Sequence, residues 1–277
     1  MIFLSLSHAN ENIEKLSKAV LKEQFDASRP IKEMYAKAVS TIRGMECSAN
    51  ISVQFHDTQI AKEAIRQGVF SEAADIDEKI SLQSKEYRDH CLSLYEEALA
   101  LINEKSTDLY NLVQAVTTDV VFVYSPRIGG GTGSHLPGVI CISIGDDWTA
   151  MDVANTLIHE ATHLNVFICD MVNKIFSKPA SELDKDEYRV LSAVRVGDMR
   201  PLDKAIHSAF VTVPLLYFES LVGKDDMMQE FTNSLDDCVN GVVDKIDTFT
   251  PYGKQLVEDL DHFNRQRDFS LVEKSFA

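Results

Sequence analysis

The stretch "TLIHEATHLN", residues 156 to 165, limits what this chain can fold into more than any other segment. Two histidines, His159 and His163, stand four positions apart between the apolar flanks "VANTLI" and "LNVFI". Four residues are close to one helical turn, so a helix turns both imidazoles to one face, where they can share one ion. Glu160 lies about 100° further round the helix and can lean over that ion without ligating it. Histidine and glutamate seldom enter a core without a partner, and a metal is the partner this spacing suits. The alternative, a solvated helix face, conflicts with the apolar flanks. "TAMD" at 149 to 152 predicts the start of the helix, with Thr149 as cap and Asp152 three residues on. The apolar pattern carries it to about Lys174.

Before this helix the pattern is helical up to about residue 105. "ENIEKLSKAVLKEQF" and "IKEMYAKAVSTIRGM" repeat apolar residues at spacings of three and four, and "DEKISLQSKEYRDHCLSLYEEALALINE" reads as a long amphipathic helix. Two β-branched and aromatic runs follow, "DVVFVYS" and "GVICISI" at 138 to 144, and read as buried strands. Between them "PRIGGGTGSHLP" holds four glycines from Gly129 to Gly133. No Gly-Lys-Ser/Thr follows, and the next element is a strand, so this is neither a phosphate loop nor a dinucleotide fingerprint. It reads as a flap over a site or as a plain hairpin connection.

After the metal helix, "RVLSAVRVGDMRP" leads to a helix with Pro201 in its first turn. That helix runs through "LDKAIHSAFVTVPLLYFESLV", with a kink expected at Pro214, and stops at Gly223. Two amphipathic helices finish the chain. The expected class is α+β, predominantly α-helical, with a small β-sheet packed beside the HExxH helix. The expected organisation is a helical region over 1–110 and a metal-binding catalytic domain over 111–277, or the two as one continuous domain.

With 277 residues, 45% hydrophobic and 25% charged, the chain has the composition of a globular protein with a sizeable core. No apolar run approaches the roughly 20 residues that span a bilayer. "MIFLSLS" has no basic flank and too short an apolar stretch for a secretory signal. The five cysteines never form a CxxC pair and read as reduced thiols, pointing to a cytoplasmic protein. A net charge of −16 repels phosphate backbones, so nucleic acid is not expected as a partner, whereas a basic peptide would be attracted.

Two histidines do not close a metal site. HExxHxxGxxH fails, because Val166 and Cys169 stand where its glycine and third histidine belong. Downstream candidates are His207 and Glu219, twelve residues or roughly 18 Å apart on one helix, so only one of them can be a ligand. His135, in the glycine-rich stretch, is a further candidate. His8, His56, His90 and His262 lie in charged, helical surroundings and read as surface residues.

"LPGVICISIGDDWTAMDVANTLIHEATHL", followed about forty residues later by "RPLDKAIH", resembles the HExxH domain associated with peptide-modifying pathways, including ribosomal peptide biosynthesis. The likeness covers about residues 118 to 222. In the radical-SAM-fused branch of that group the domain is an iron- and 2-oxoglutarate-dependent hydroxylase. No radical-SAM cysteine triplet is present, so the resemblance implies a free-standing member. It implies His159, His163 and His207 as iron ligands. Ser208 follows His207 where the family has small residues such as glycine.

Iron that activates oxygen leaves positions open for the chelating end of 2-oxoglutarate and for dioxygen. Such sites more usually hold two histidines and a carboxylate. The far carboxylate of 2-oxoglutarate needs a cation, ideally an arginine fork. Arg200, at the start of the helix carrying His207, is the leading candidate, where backbone N–H groups also favour an anion. Arg195 and Arg127 stand in reserve, and a surface pair of Arg200 with Asp198 or Asp203 is the alternative.

The leading expectation is therefore an Fe(II)- and 2-oxoglutarate-dependent oxygenase hydroxylating an unactivated carbon, the β-carbon above all, of a peptide or amino-acid side chain. Glu160 then orients a ligand or water. The runner-up is a zinc metallopeptidase with Glu160 as general base and "GVICISI" pairing with an extended substrate. A third reading is a helical binding protein with a vestigial site.

Overall fold

The computed structural model describes residues 1–69, 84–123, 125 and 128–276. The chain runs α1 (Leu6–Leu21), α2 (Ile31–Arg43), β1 (Ser52–Phe55), α3 (Gln59–Arg66), α4 (Lys85–Lys105) and α5 (Thr107–Val116). It continues through β2 (Asp119–Phe122), β3 (Gly129–Gly131), β4 (Val139–Ser143), α6 (Ala150–Asn173) and the single turn α7 (Ala180–Leu183). β5 (Val190–Leu191), β6 (Met199–Arg200), α8 (Leu202–Leu221), α9 (Asp226–Val243), α10 (Pro251–Gln266) and α11 (Ser270–Phe276) complete it. This is the expected predominantly helical α+β class. No helix among the described residues is long and apolar enough to cross a membrane. The chain divides into two compact units, Asn10–Ile168, and Met1–Ala9 with Cys169–Ala277.

In the first unit a four-stranded sheet has the order β1-β2-β4-β3. β1, β2 and β4 are parallel, and β3 runs antiparallel on the edge, with Gly129 opposite Ser143 and Gly131 opposite Cys141. β2 and β4 are buried along their whole length, which is why they read as unbroken apolar runs and not as alternating ones. Ile60, Ala61 and Ala64 of α3 form one core with Val121, Val123, Val139 and Cys141. At the start of β2, Asp119 is buried and accepts from Arg43 at 2.8 Å and from Gln54 at 2.8 Å. With both carboxylate oxygens satisfied, a charge that would be costly alone is tolerated in the core.

In the second unit α8 is the central helix, buried on every face from Ala205 to Glu219. Phe3 packs against its Phe210 with ring centroids 4.6 Å apart. Pro201 is the N-cap of α8 and not a first-turn residue, and the helix continues through Pro214. β5 and β6 form an antiparallel pair, Val190 opposite Arg200.

Several expectations need correction. The first third is not wholly helical: β1 follows "CSAN" and pairs with β2, a partnership set by residues far along the chain. The glycine-rich stretch does not join β2 to β4 as a hairpin, because those strands lie parallel; its glycines form β3, which turns back antiparallel onto β4. Two short strands, β5 and β6, not among the expected elements, lie in "RVLSAVRVGDMRP", and α11 follows the helices expected to end the chain. His56 is buried at 7% exposure, not a surface residue. Residues 77–83 of the long helix expected before β2 lie outside the described residues, and so does Arg127.

Candidate metal centre

α6 begins where "TAMD" predicted. The Asp152 carboxylate accepts from the Thr149 backbone N–H at 2.8 Å and from its hydroxyl at 2.7 Å. The acidic half of the capping box therefore forms, while the threonine hydroxyl donates where the motif would have it accept. Along the helix Val153, Ala154, Leu157, Ile158, Ala161 and Leu164 are fully buried. Thr156, His159, His163 and Phe167 remain half-open, at spacings of three, four and four. Both histidines thus share the one stripe of α6 not packed away.

The two Nε2 atoms are 3.2 Å apart and the rings meet edge to face, with centroids 4.8 Å apart. Two nitrogens at the ~2.0–2.1 Å bond length of a metal–imidazole contact subtend about 100° at that separation. Phe167, one turn on, lies nearly parallel to the His163 ring with centroids 6.1 Å apart. Burial pushes His159 down to about 4, so its ring is neutral near pH 7, the form that ligates metals. The pair therefore fits a divalent ion in distance and position, and His159 in protonation.

Glu160 is 5% exposed, and its Oε1 lies 3.9 Å from His159 Nε2. Burial pushes its carboxyl up to about 8. β3 lies against this side chain. A Cβ on Gly130 would come within 2.5 Å of Thr156 Cγ2 and 2.7 Å of Glu160 Oε1. Only glycine lets the strand approach so closely.

In the second unit His207 is 8% exposed and set edge-on to Phe210 at 6.4 Å. Burial, helped by the charge of Lys204, holds it neutral, at about 3. Glu219, the rival ligand, is fully engaged elsewhere. Its Oε1 accepts from the Met227 N–H at 2.9 Å and its Oε2 from the Met228 N–H at 3.0 Å, so it caps the start of α9.

Ser208 has a role that glycine could not fill. Its hydroxyl accepts from the Ala193 N–H at 2.8 Å and donates to the Ala205 carbonyl at 2.6 Å. Ser234 holds the Ala193 carbonyl at 2.6 Å, so the segment between β5 and β6 is clamped on both sides. The turn beyond it closes through Asp198 N–H to Arg195 O at 3.0 Å, with Gly197 at φ +84°. Arg195 is exposed at that turn, and Arg200 is half-buried on β6, immediately before the N-cap of α8. Burial and the neighbouring charge of Arg195 push the Arg200 guanidinium below its usual range, against the opposing pull of Asp203 and Asp198. Asp203 bonds to Lys204 at 3.2 Å, and among the described residues neither arginine has a carboxylate within ion-pair distance. The surface pair of Arg200 with Asp198 or Asp203 is not formed.

Among the described residues, His159 and His163 come together as a pair, and no third His, Cys, Asp or Glu joins them in one metal-binding group. His207 belongs to the other unit. His135 is exposed in the loop between β3 and β4. No family model matches the chain, and no curated protein is significantly similar to it. Sequence reasoning missed the contact of Gly130 with Glu160; the run of three glycines was its only trace. It also put the substrate-pairing edge on "GVICISI". β4 has β2 on one side and β3 on the other, so it has no free edge.

Proposed function

We propose that the protein is an Fe(II)- and 2-oxoglutarate-dependent oxygenase that hydroxylates an unactivated carbon, the β-carbon in the first instance, of a peptide or amino-acid side chain. His159 and His163 would hold the iron, with His207 as the third ligand that the resemblance implies. When bound, iron and 2-oxoglutarate supply oxygen activation, with succinate as the product of the cosubstrate.

The observation that carries this reading is the place of Arg200 at the start of α8. Arg200 stands immediately before the N-cap of a twenty-residue helix with no carboxylate within ion-pair distance among the described residues, a place where a guanidinium fork suits an anion. Arg200, on β6, stands two residues before α8 begins, and His207 is the sixth residue of that helix. From there its guanidinium would grip the distal end of a dicarboxylate directed toward the histidine. Glu219 supports the same reading, since its engagement with α9 leaves histidine as the downstream ligand type. Glu160, with a carboxyl that burial keeps protonated near neutral pH, would orient a ligand or water by donating a hydrogen bond. Five free cysteines support a reducing, cytoplasmic setting.

The test is succinate formation from 2-oxoglutarate by the iron-reconstituted chain under oxygen. Glu160→Gln should keep a measurable fraction of that turnover, because hydrogen-atom abstraction asks for no carboxylate base. A zinc peptidase is the second reading, favoured by Glu160 Oε1 lying 3.9 Å from His159 Nε2, where a general base would stand. It would make no succinate, would cleave peptides in the zinc form, and would lose nearly all activity in Glu160→Gln.

A further inference from the structure

We infer that the outer edge of β3 is a peptide-docking strand, on which an extended, basic stretch of substrate adds to the sheet and lies along Glu160. This rests on the reading of the substrate as a peptide and holds for either chemistry.

β3 ends the sheet order, and among the described residues its other edge pairs with no strand. Exposed edges are ordinarily blunted by charge, proline or a bulge, because bare backbone recruits other strands. Within β3 itself there is no charge and no proline: Gly129, Gly130 and Gly131 present backbone alone. Glycine is required at two of these positions for separate reasons. Gly129 has φ +138°, which side chains rarely tolerate. At Gly130 a side chain would meet Thr156 and Glu160. Even so, Gly130 stays exposed. The Thr132 hydroxyl, donating to Val139 O at 2.7 Å, pins the far end of the strand to β4. The result is a short edge, unpaired among the described residues, laid against the carboxyl of the metal helix. A peptide added there gains main-chain hydrogen bonds while its alternate side chains point toward and away from α6.

The charge of the occupant follows from the Gly129 end. Gly129 pairs with Ser143, and the chain leaves β4 through the exposed Asp146 and Asp147 to the half-buried Trp148. Ile128, 54% exposed, lies beside this turn; its Cδ1 is 3.0 Å from where a Gly145 Cβ would sit. An aliphatic stem with a cationic head suits that surface, the stem on Ile128 and Trp148 and the head between the carboxylates. The net charge of −16 favours the same occupant.

The test uses the full, unmodified chain and an end-blocked peptide of alternating lysine and valine. Two further versions are N-methylated, one on every lysine amide and the other on every valine amide. Only alternate amides of an added strand face its host. One methylated version should therefore bind about tenfold more weakly or worse, and the other like the parent. The parent should also slow amide exchange at Gly129–Gly131, and a glutamate-valine counterpart should bind more weakly. Equal binding by all three basic peptides, no saturable binding of the parent, or unchanged exchange at Gly129–Gly131 would overturn the inference. Strand addition without succinate formation sinks the oxygenase reading alone. Succinate formation with a peptide whose binding ignores N-methylation sinks the docking edge alone.

Discussion

Glu219 and His207 show how far one side chain's hydrogen bonds decide its chemistry. Both are buried on α8, and both are ordinary metal ligands by type. Glu219, however, satisfies two orphan amides at the start of α9. Glu219→Ala should lower stability by ~1–3 kcal/mol, the usual cost of leaving buried donors unpaired, while metal content per folded chain stays unchanged. His207→Ala should do the reverse, abolishing stoichiometric metal by elemental analysis. Loss of metal in Glu219→Ala at full folding would overturn the assignment. Arg200→Ala should retain metal and lose 2-oxoglutarate affinity. Arg200→Lys should recover little of it, because a lysine lacks the planar fork. Titration calorimetry separates these outcomes, and unimpaired binding in Arg200→Ala would shift the role to Arg195.

Between elements, two close approaches carry measurable consequences. Gly130→Ala forces β3 away from α6 or displaces Glu160, since the added carbon would lie within 2.7 Å of the carboxyl oxygen. Overpacking of this kind costs ~1–3 kcal/mol, readable as a lowered denaturation midpoint with secondary structure intact. The junction of α2 with α5 is pH-sensitive. Lys32, in the first turn of α2, donates to the carbonyls of Ala115 at 3.1 Å and Thr117 at 2.5 Å. Burial pushes its ammonium down to about 7. The unfolded chain keeps that proton up to the ordinary lysine range near ~10.4. Between those limits the unfolded state binds more protons, so this residue makes stability rise with pH from about 7 upward. Below about 7 its full penalty is present. Lys32→Met should flatten that rise in denaturation curves taken across the window, and an unchanged slope would contradict it.

At the scale of the whole molecule, a charge of −16 governs encounter more than fold. Association with a lysine-containing peptide should slow as the screening length falls from ~10 Å at ~0.1 M salt to ~3 Å at ~1 M. Stopped-flow association rates measure this, and a rate indifferent to salt would deny the field any part in recognition. What the sequence by itself determined was whatever repeats within one or two turns of chain. The pairing of His159 with His163, the start of α6 at Thr149 and the buried runs of β2 and β4 all depend on neighbours a few residues away. Strand partnership has no such local signature. β1 pairs with β2 across some seventy residues of chain, and the three-glycine β3 carries no side chains from which a period could be read. The engagement of Glu219 by α9, the clamping of Ala193 by Ser208 and Ser234, and the seating of Gly130 on Glu160 were likewise decided only by tertiary structure. Each depends on which groups meet in space, and helix periodicity places side chains on a face without saying what that face will touch.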